Sequence, residues 1–180
     1  MRNAFAIIAL ASLLASGASI AAKADKDSLV TISPGFSFGV ITPDGWTRTK
    51  ADFAPAVFYP SKYSYDRSPV ILYVRSASKA ELGLKTIAEL NAFDLKGMRS
   101  QWPRISSKAQ AIWSLRDGTS APTYSFEGGQ FQELVAYIEH PKSITVFVLS
   151  ADTNPILKSS LPAFRALVQS YRWLPELSSQ

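Results

Sequence analysis

Few residues in this chain could carry covalent chemistry. Its 180 residues include one His, at position 140, and no Cys, which excludes a thiol nucleophile and any metal site built on cysteine. A serine hydrolase needs a base that activates the serine and a third group that orients the base. The chain has no G-x-S-x-G sequence, and His140 precedes Pro141 in a predicted tight turn, where we expect a solvated side chain. The sequence therefore indicates no serine–histidine catalysis.

Three glutamates near one predicted hairpin are the candidates for paired-carboxylate chemistry of the glycosidase type. Glu133 and Glu139 lie on one predicted strand, where six residues span about 20 Å, too far for one site. Glu127 and Glu133 flank the Gly-Gly sequence at 128–129 and could approach each other across the turn. We nevertheless expect both to lie on a solvent-exposed face.

No other pattern indicates a catalytic or metal site. Ser159 and Ser160 follow Lys158, but we interpret them as helix-capping residues and not as part of a Ser–Lys dyad. Zinc requires His or Cys at defined spacing, and calcium requires a dense carboxylate loop, for which Asp25 and Asp27 are too sparse. No glycine-rich phosphate loop is present. The sequence predicts no catalytic residue, no metal ligand and no cofactor.

The first 24 residues have the tripartite pattern of a secretory signal. Residues 1–3, Met-Arg-Asn, form a basic n-region through Arg2. Residues 4–14 form an Ala/Ile/Leu run, and residues 22–24 read Ala-Lys-Ala, which resembles a cleavage site. A membrane-spanning helix needs about 20 strongly apolar residues, and Ser and Gly interrupt this run. We therefore expect a signal peptide over residues 1–24, a periplasmic or secreted protein, and no transmembrane segment after cleavage.

The composition describes a folded chain of about one domain. Hydrophobic residues make up 47% and charged residues 18%, which is typical of globular proteins and not of disordered ones. The formal net charge of +5 falls to +3 without residues 1–24, which hold two basic and no acidic residues. Such a mild charge argues against a nucleic-acid partner. Without Cys, an exported chain must be stable without disulfides.

Short apolar runs bounded by turn residues indicate a mainly antiparallel sheet. Residues 35–40 alternate between apolar and small side chains, as a half-buried strand does. Residues 70–74 and 144–149 are apolar throughout, as expected of central strands. The other predicted strands are residues 56–59, 111–115, 122–126 and 131–138. We therefore predict an α+β fold with an antiparallel β-sheet of about six to seven strands.

Two amphipathic segments predict the main helices. Thr86 and Glu89 fit a capping box, and Pro103 ends the helix that they begin. The second helix is predicted to begin near residues 159–160, with Pro162 in its first turn. Both helices are expected to pack against the sheet.

The order of these elements resembles that of PsbP-like domains. Residues 35–46, GFSFGVITPDGW, are similar to the opening hairpin of that family: aromatic-x-aromatic, a proline, then Gly-Trp. The family includes the PsbP extrinsic photosystem subunits, the Mog-type Ran-binding proteins and exported bacterial proteins of the DcrB kind. The resemblance covers residues 34–174. It implies an α/β/α sandwich and a non-enzymatic accessory or binding role in the bacterial envelope, and it assigns no functional residue.

One loop has the residue types of a binding surface. It contains Tyr63, Tyr65 and Arg67, and exposed Tyr and Arg are enriched at protein interfaces. The alternative is that the tyrosines fold back onto the sheet. We predict Tyr63, Tyr65 and Arg67 as the binding residues.

A basic stretch over residues 96–116 is a second candidate. Its basic residues are Lys96, Arg99, Arg104, Lys108 and Arg116. Lys96 and Arg99 share one face of the predicted helix, because they are three residues apart. The stretch indicates either a solvated helix face or a surface for an anionic envelope component.

We therefore predict a signal peptide over residues 1–24, a flexible segment over residues 25–33, one α+β domain over residues 34–174, and a tail over residues 175–180. The expected function is that of a non-enzymatic exported accessory or binding protein of the bacterial envelope, whose partner is an envelope protein or an anionic envelope component. Two alternatives stay open. One is a cofactor-free exported hydrolase, and the other is a periplasmic small-ligand carrier with a pocket between helix 86–102 and the sheet.

Overall fold

The structure, a computed structural model, describes residues 28–33 and 36–174. The predicted signal peptide, residues 1–24, and the predicted tail, residues 175–180, lie outside the described residues. Within the described ranges, no helix combines the length and the apolar character needed to cross a bilayer.

The described residues form ten strands, three α-helices and a short 3₁₀ turn at Tyr65–Arg67. The strands are β1 Ser28–Ser33, β2 Phe36–Ile41, β3 Trp46–Ala51, β4 Ala54–Pro60, β5 Val70–Ser78, β6 Ser106–Ser114, β7 Ser120–Glu127, β8 Gln132–Glu139, β9 Ser143–Ala151 and β10 Arg172–Trp173. The helices are α1 Lys79–Leu82, α2 Ile87–Arg99 and α3 Asn154–Gln169.

Seven of these strands form the main sheet, in the order β3-β4-β5-β9-β8-β7-β6, and every neighbouring pair is antiparallel. Strand β9 is the central strand, and all nine of its residues are buried. Its neighbour β5 begins with five buried residues. The prediction that residues 70–74 and 144–149 are central strands is confirmed, because a strand covered on both faces needs apolar residues throughout.

Helices cover the main sheet on both sides. On the side that we call the α2 face, Leu90 of helix α2 packs against residues such as Tyr73, Val135 and Val146. On the opposite side, the α3 face, helix α3 and the small sheet β1-β2-β10 pack over the strands. Side chains alternate between the two faces along each strand. The predicted α/β/α sandwich is confirmed, with the small sheet as an addition to the α3 layer.

The small sheet includes part of the segment that we predicted to be flexible. Residues 25–33 contain strand β1, which pairs with β2 in the register from Ser28↔Ile41 to Ser33↔Phe36. On its other edge β2 pairs with β10, where Trp173 lies opposite Phe38. The prediction missed this strand, because the pairing that satisfies its backbone groups is made with β2 and is not visible in the composition of the segment itself.

The capping box of helix α2 is confirmed. The Thr86 hydroxyl accepts a hydrogen bond from the backbone N–H of Glu89 at 3.2 Å, and the Glu89 carboxylate accepts one from the backbone N–H of Thr86 at 3.3 Å. The helix ends at Arg99 and not at residue 102, because the Ser100 hydroxyl donates to the Gly97 carbonyl at 2.7 Å and so satisfies a free group of the last turn.

Helix α3 begins earlier than predicted. Its first residue is Asn154, and Pro155 lies in the first turn. Pro162 therefore lies inside the helix, where it supplies no N–H for the ladder, and residues 159–160 do not cap it. The buried positions Phe164 and Leu167 continue the apolar stripe that holds the helix on the sheet.

The two edge strands of the main sheet differ from the prediction. No strand was predicted at β3, and β6 begins at Ser106 and not at residue 111. Half of the residues of β3 and most of those of β6 are exposed, including Ile112 at 71%, and neither strand contains a buried residue. Edge strands that face solvent on both sides lack the apolar alternation that identifies a half-buried strand.

Gly128 in the β7–β8 turn allows a close approach of two backbone segments. Its φ is +91°, and a Cβ at this position would lie 2.7 Å from the backbone carbonyl oxygen of Arg104. We expect Gly128→Ala to lower the free energy of unfolding, measured by urea denaturation, by about 2 kcal/mol. The matched control is Gly118→Ala, where φ is +84° and no atom lies within 4 Å; backbone strain alone should cost about 1 kcal/mol there. Equal losses for the two variants would contradict a steric role for Gly128.

Candidate functional site

The loop that follows β4 is held by backbone hydrogen bonds at both ends. The backbone N–H of Ser61 donates to the Gly45 carbonyl at 2.9 Å, and the backbone N–H of Tyr63 donates to the Pro60 carbonyl at 3.0 Å. At the far end, the backbone N–H of Ser68 closes the 3₁₀ turn by donating to the Tyr65 carbonyl at 3.3 Å. We call residues 61–69 the tyrosine loop.

The three predicted binding residues lie in two different environments, two of them in solvent and one against the sheet. Tyr63 is exposed at 37%, and the Lys62 ammonium lies 5.2 Å from the centre of its ring, within the range of a cation–π contact. Arg67 is also exposed. Tyr65 is half-buried, and its ring centre lies 6.0 Å from that of Tyr59 at the border of the α2 face. The loop therefore presents Tyr63 and Arg67 to solvent, whereas Tyr65 packs onto the sheet.

His140 lies in a packed environment, and the expectation of a solvated turn residue is wrong. Its ring stacks on Trp173, with ring centres 4.1 Å apart and planes 15° apart. Its Nε2 and the Tyr171 hydroxyl are hydrogen-bonded. Burial lowers the pKa of His140, and the nearby positive charge of Lys79 lowers it further. The imidazole therefore connects β8 to the C-terminal strand β10, a contact between distant segments that turn propensity cannot reveal.

The glutamates of the β7–β8 hairpin lie on opposite faces of the sheet. Glu133 pairs with Phe126 in the strand register, so Glu127, the next residue, points to the other side. Glu127 is exposed, as expected, and shares the α3 face with Ser125. Glu133 is partly buried on the α2 face, so the expectation of a solvent-exposed residue is wrong. The two carboxylates do not meet across the turn.

The Glu133 carboxyl belongs to a polar cluster on the α2 face that the sequence pattern did not indicate. Burial raises the pKa of Glu133 to about 7, and the neighbouring Asp94 carboxylate adds to this shift. Asp94 of helix α2 forms an ion pair with Arg75 of β5, with an Nη2–Oδ2 distance of 2.6 Å. Burial also raises the pKa of Asp94, although Arg75 acts in the opposite direction.

Two further hydrogen bonds continue this cluster toward the sheet edge. The Asn91 amide donates to the Tyr137 hydroxyl at 3.4 Å, and the Ser107 hydroxyl donates to the Asn91 carbonyl oxygen at 3.0 Å. Burial raises the pKa of Tyr137 well above its ordinary value, so its hydroxyl stays protonated. Polar contacts to strands β5, β6 and β8 thus position helix α2. This structural role accounts for the polar residues of the cluster. Among the described residues, no group of three or more acidic or His side chains could hold a metal ion.

The basic residues of the stretch 96–116 do not form one surface. Lys96 and Arg99 are exposed on helix α2. Lys108 lies on β6 opposite Ser125, and its side chain therefore points to the α3 side of the sheet. The sheet separates the two groups, which weakens the hypothesis that the stretch binds one anionic component.

A cavity of about 310 Å³ lies on the α3 face, between helix α3 and strands β6, β7 and β8. It is a different place from the pocket that we predicted between helix 86–102 and the sheet, and that pocket stays a prediction.

Comparison with known proteins supports the fold. No family model matches the chain, and no curated protein matches it. Among solved structures, the chain is similar to the cyanobacterial PsbP protein, CyanoP, of Synechocystis sp. PCC 6803, with a TM-score of 0.51, 13% identity, and coverage of 87% of this chain and 98% of that chain. It is also similar to LpqN of Mycobacterium tuberculosis, described as involved in cell envelope biogenesis, with a TM-score of 0.49, 13% identity, and coverage of 82% and 91%.

At this level of identity the similarity concerns the fold and not the activity. The chain has a PsbP-like fold, as the resemblance of residues 34–174 predicts. The narrower resemblance to DcrB-like proteins stays a prediction.

Proposed function

We propose that this chain is an exported, non-enzymatic binding protein that contacts an envelope protein or an anionic envelope component through Tyr63 and Arg67. The observation that carries the proposal is the exposure of both side chains on a loop whose ends are held by hydrogen bonds. A pre-organised loop loses little entropy on binding. The signal-like pattern of residues 1–24 supports export.

The charges of the tyrosine loop favour an acidic partner surface. Lys62 and Arg67 are exposed, and Asp66 is the one acidic residue among residues 61–69. Arg can bind a carboxylate or phosphate through two parallel hydrogen bonds. Tyr63 adds a rigid aromatic surface of the kind that often dominates the binding energy of an interface. Tyr65 supports the loop from below through its contact with Tyr59.

The test is crosslinking capture of partners from an envelope fraction with Tyr63→Ala/Arg67→Ala. We expect capture to fall by about tenfold or more, because two interface anchors are removed. The urea midpoint should stay near that of the unaltered protein, because both side chains are exposed. Tyr65 is left intact, since its replacement would also disturb the packing of the loop.

The matched control removes an exposed apolar residue and an arginine at the opposite edge of the main sheet. Ile112→Ala/Arg116→Ala changes two exposed side chains and should leave capture unchanged. Undiminished capture by the Tyr63/Arg67 variant, or an equal fall in the control, would overturn the assignment of this surface.

A further inference from the structure

The cavity on the α3 face is a separate site with its own chemistry. Its volume of about 310 Å³ equals that of roughly ten water molecules in the liquid, which suits a small ligand. It lies against β6, the edge strand at the opposite end of the sheet order from β3 and β4, and the tyrosine loop follows β4. The two sites therefore do not share residues.

The strand wall of the cavity presents an oriented carboxylate. The Gln110 amide donates to the Ser125 hydroxyl at 2.9 Å, and this hydroxyl donates to the Glu127 carboxylate at 3.3 Å. An ionised carboxylate is purely an acceptor with several lone pairs, so Glu127 keeps capacity for a donor from a ligand. All three residues line the cavity, and Glu127 is exposed at its mouth.

A β-bulge shapes this wall. The register of β6 against β7 shifts between Ala109 and Ile112, and both Gln110 and Ala111 line the cavity as a result. The Ala111 carbonyl accepts a hydrogen bond from the Thr123 hydroxyl at 2.7 Å, which satisfies the backbone group freed by the bulge. Bulges redirect side chains at strand edges in this way.

Helix α3 forms the other wall of the cavity and supplies a positive charge there. Asn154 and Lys158 lie one turn apart in the first half of α3 and line the cavity. The first turn of α3 contains no acidic residue. Neither side chain has a hydrogen bond or ion pair with another part of the described chain. This wall therefore offers donors that suit a carboxylate.

The floor of the cavity is aliphatic and not an aromatic platform. Leu134, Leu157 and Leu161 form it. Trp113 also borders the cavity, but the Arg165 guanidinium lies 5.0 Å from its ring centre and the ring of Phe164 lies at 5.7 Å in an edge contact. Because other groups occupy the surroundings of this ring, it is poorly placed to stack on a sugar.

We propose that this cavity binds a small zwitterion with an aliphatic side chain, namely a free α-amino acid or a dipeptide. Its ammonium group contacts the Glu127 carboxylate, its carboxylate contacts Lys158 and Asn154, and its side chain rests on the leucines. Opposite charges on opposite walls fix the orientation of such a ligand, and the volume of about 310 Å³ suits a molecule of this size.

The test is NMR titration of the full chain with L-leucine and L-alanyl-L-leucine. We expect saturable shifts at Gln110, Glu127 and Lys158, with affinity at least about tenfold weaker for N-acetyl-L-leucine and for L-leucine amide, each of which lacks one charge. Glu127→Gln and Lys158→Met should each weaken binding by a similar factor. Both side chains are exposed, so the variants should keep the spectrum of the folded protein.

The matched controls are Glu81→Gln and Lys96→Met, which change exposed charges outside the cavity. They should leave the affinity unchanged. Three outcomes would overturn the proposal. The first is the absence of shifts at about 10 mM ligand, a concentration that would detect even weak binding. The second is equal binding of the blocked ligands, and the third is shifts at the cavity with glucose but not with leucine. Since the capture experiment uses Tyr63 and Arg67, either proposal can fail without the other.

Discussion

Arg75→Met is expected to lower the free energy of unfolding by about 3 kcal/mol, because it leaves the Asp94 carboxylate without its partner. The two side chains meet at 2.6 Å, with exposures of 28% for Arg75 and 16% for Asp94. Removing one member of a desolvated ion pair leaves an uncompensated charge, whereas removing both does not. The double variant Arg75→Met/Asp94→Leu should therefore recover most of the loss.

The chain offers a matched control for this prediction. Lys79 and Glu139 form an ion pair of similar length, 2.7 Å, but Glu139 is exposed at 41%. Lys79→Met should cost less than about 1 kcal/mol, because water screens an exposed pair. Urea denaturation at pH 7 measures all three variants. A loss for Arg75→Met as small as that for Lys79→Met, or no recovery in the double variant, would show that the α2-face pair is not important for stability.

Glu133→Gln is expected to stabilise the protein at high pH. Burial raises the pKa of Glu133 from its ordinary value of 4.5 to about 7. Between these two pH values the folded protein holds a proton that the unfolded chain has released, so the stability contributed by this group falls as the pH rises through the window. Above pH 7 the ionised carboxylate costs about 3 kcal/mol. A neutral amide removes that cost.

The difference between two pH values is the decisive measurement for Glu133. We expect Glu133→Gln to raise the free energy of unfolding by about 3 kcal/mol at pH 8 and by less than about 1 kcal/mol at pH 5. Asp94 and Arg75 also face this carboxyl, but they are present in both proteins and cancel in the comparison. Glu127→Gln, on the other face of the same hairpin, is the matched control. A gain for Glu133→Gln that is the same at both pH values would contradict the raised pKa.

These two predictions concern the same cluster, and together they bear on how helix α2 is positioned. Arg75 and Glu133 belong to strands on opposite sides of the central strand β9, and Asp94 lies above them on α2. Apolar packing by itself would allow the helix to slide along the sheet, whereas a buried polar contact has one satisfied geometry. Burying these polar groups costs stability, but their contacts hold helix α2 in one position on the sheet.

Much of the fold was readable from local patterns. The Thr86 and Glu89 pair identified the start of α2 because capping depends on groups three residues apart. Residues 144–149 identified the central strand because burial on both faces requires an apolar side chain at every position. The exposed strands β3 and β6 were missed or shortened, because hydrogen bonds to a neighbouring strand, and not an apolar pattern, keep them in the sheet.

The candidate sites were less readable than the fold. Tyr63 and Arg67 are exposed, as a binding surface requires, but the sequence could not show that Tyr65 turns inward onto Tyr59. The cavity joins Glu127 of a strand to Lys158 of a helix. Their proximity depends on where α3 crosses the sheet, and no local spacing encodes that crossing.

By itself the sequence determined the two main helices, the buried strands, their antiparallel arrangement and the lack of thiol chemistry, because each depends on composition or on neighbours in the chain. Only the tertiary structure decided which groups lose water and which meet. Glu127 and Glu133 have the same side chain and flank one turn, yet one is solvated and the other has a raised pKa. Arg75 and Asp94 are 19 residues apart and become partners when α2 packs on the sheet. Desolvation and charge pairing depend on distances in space, which folding alone sets.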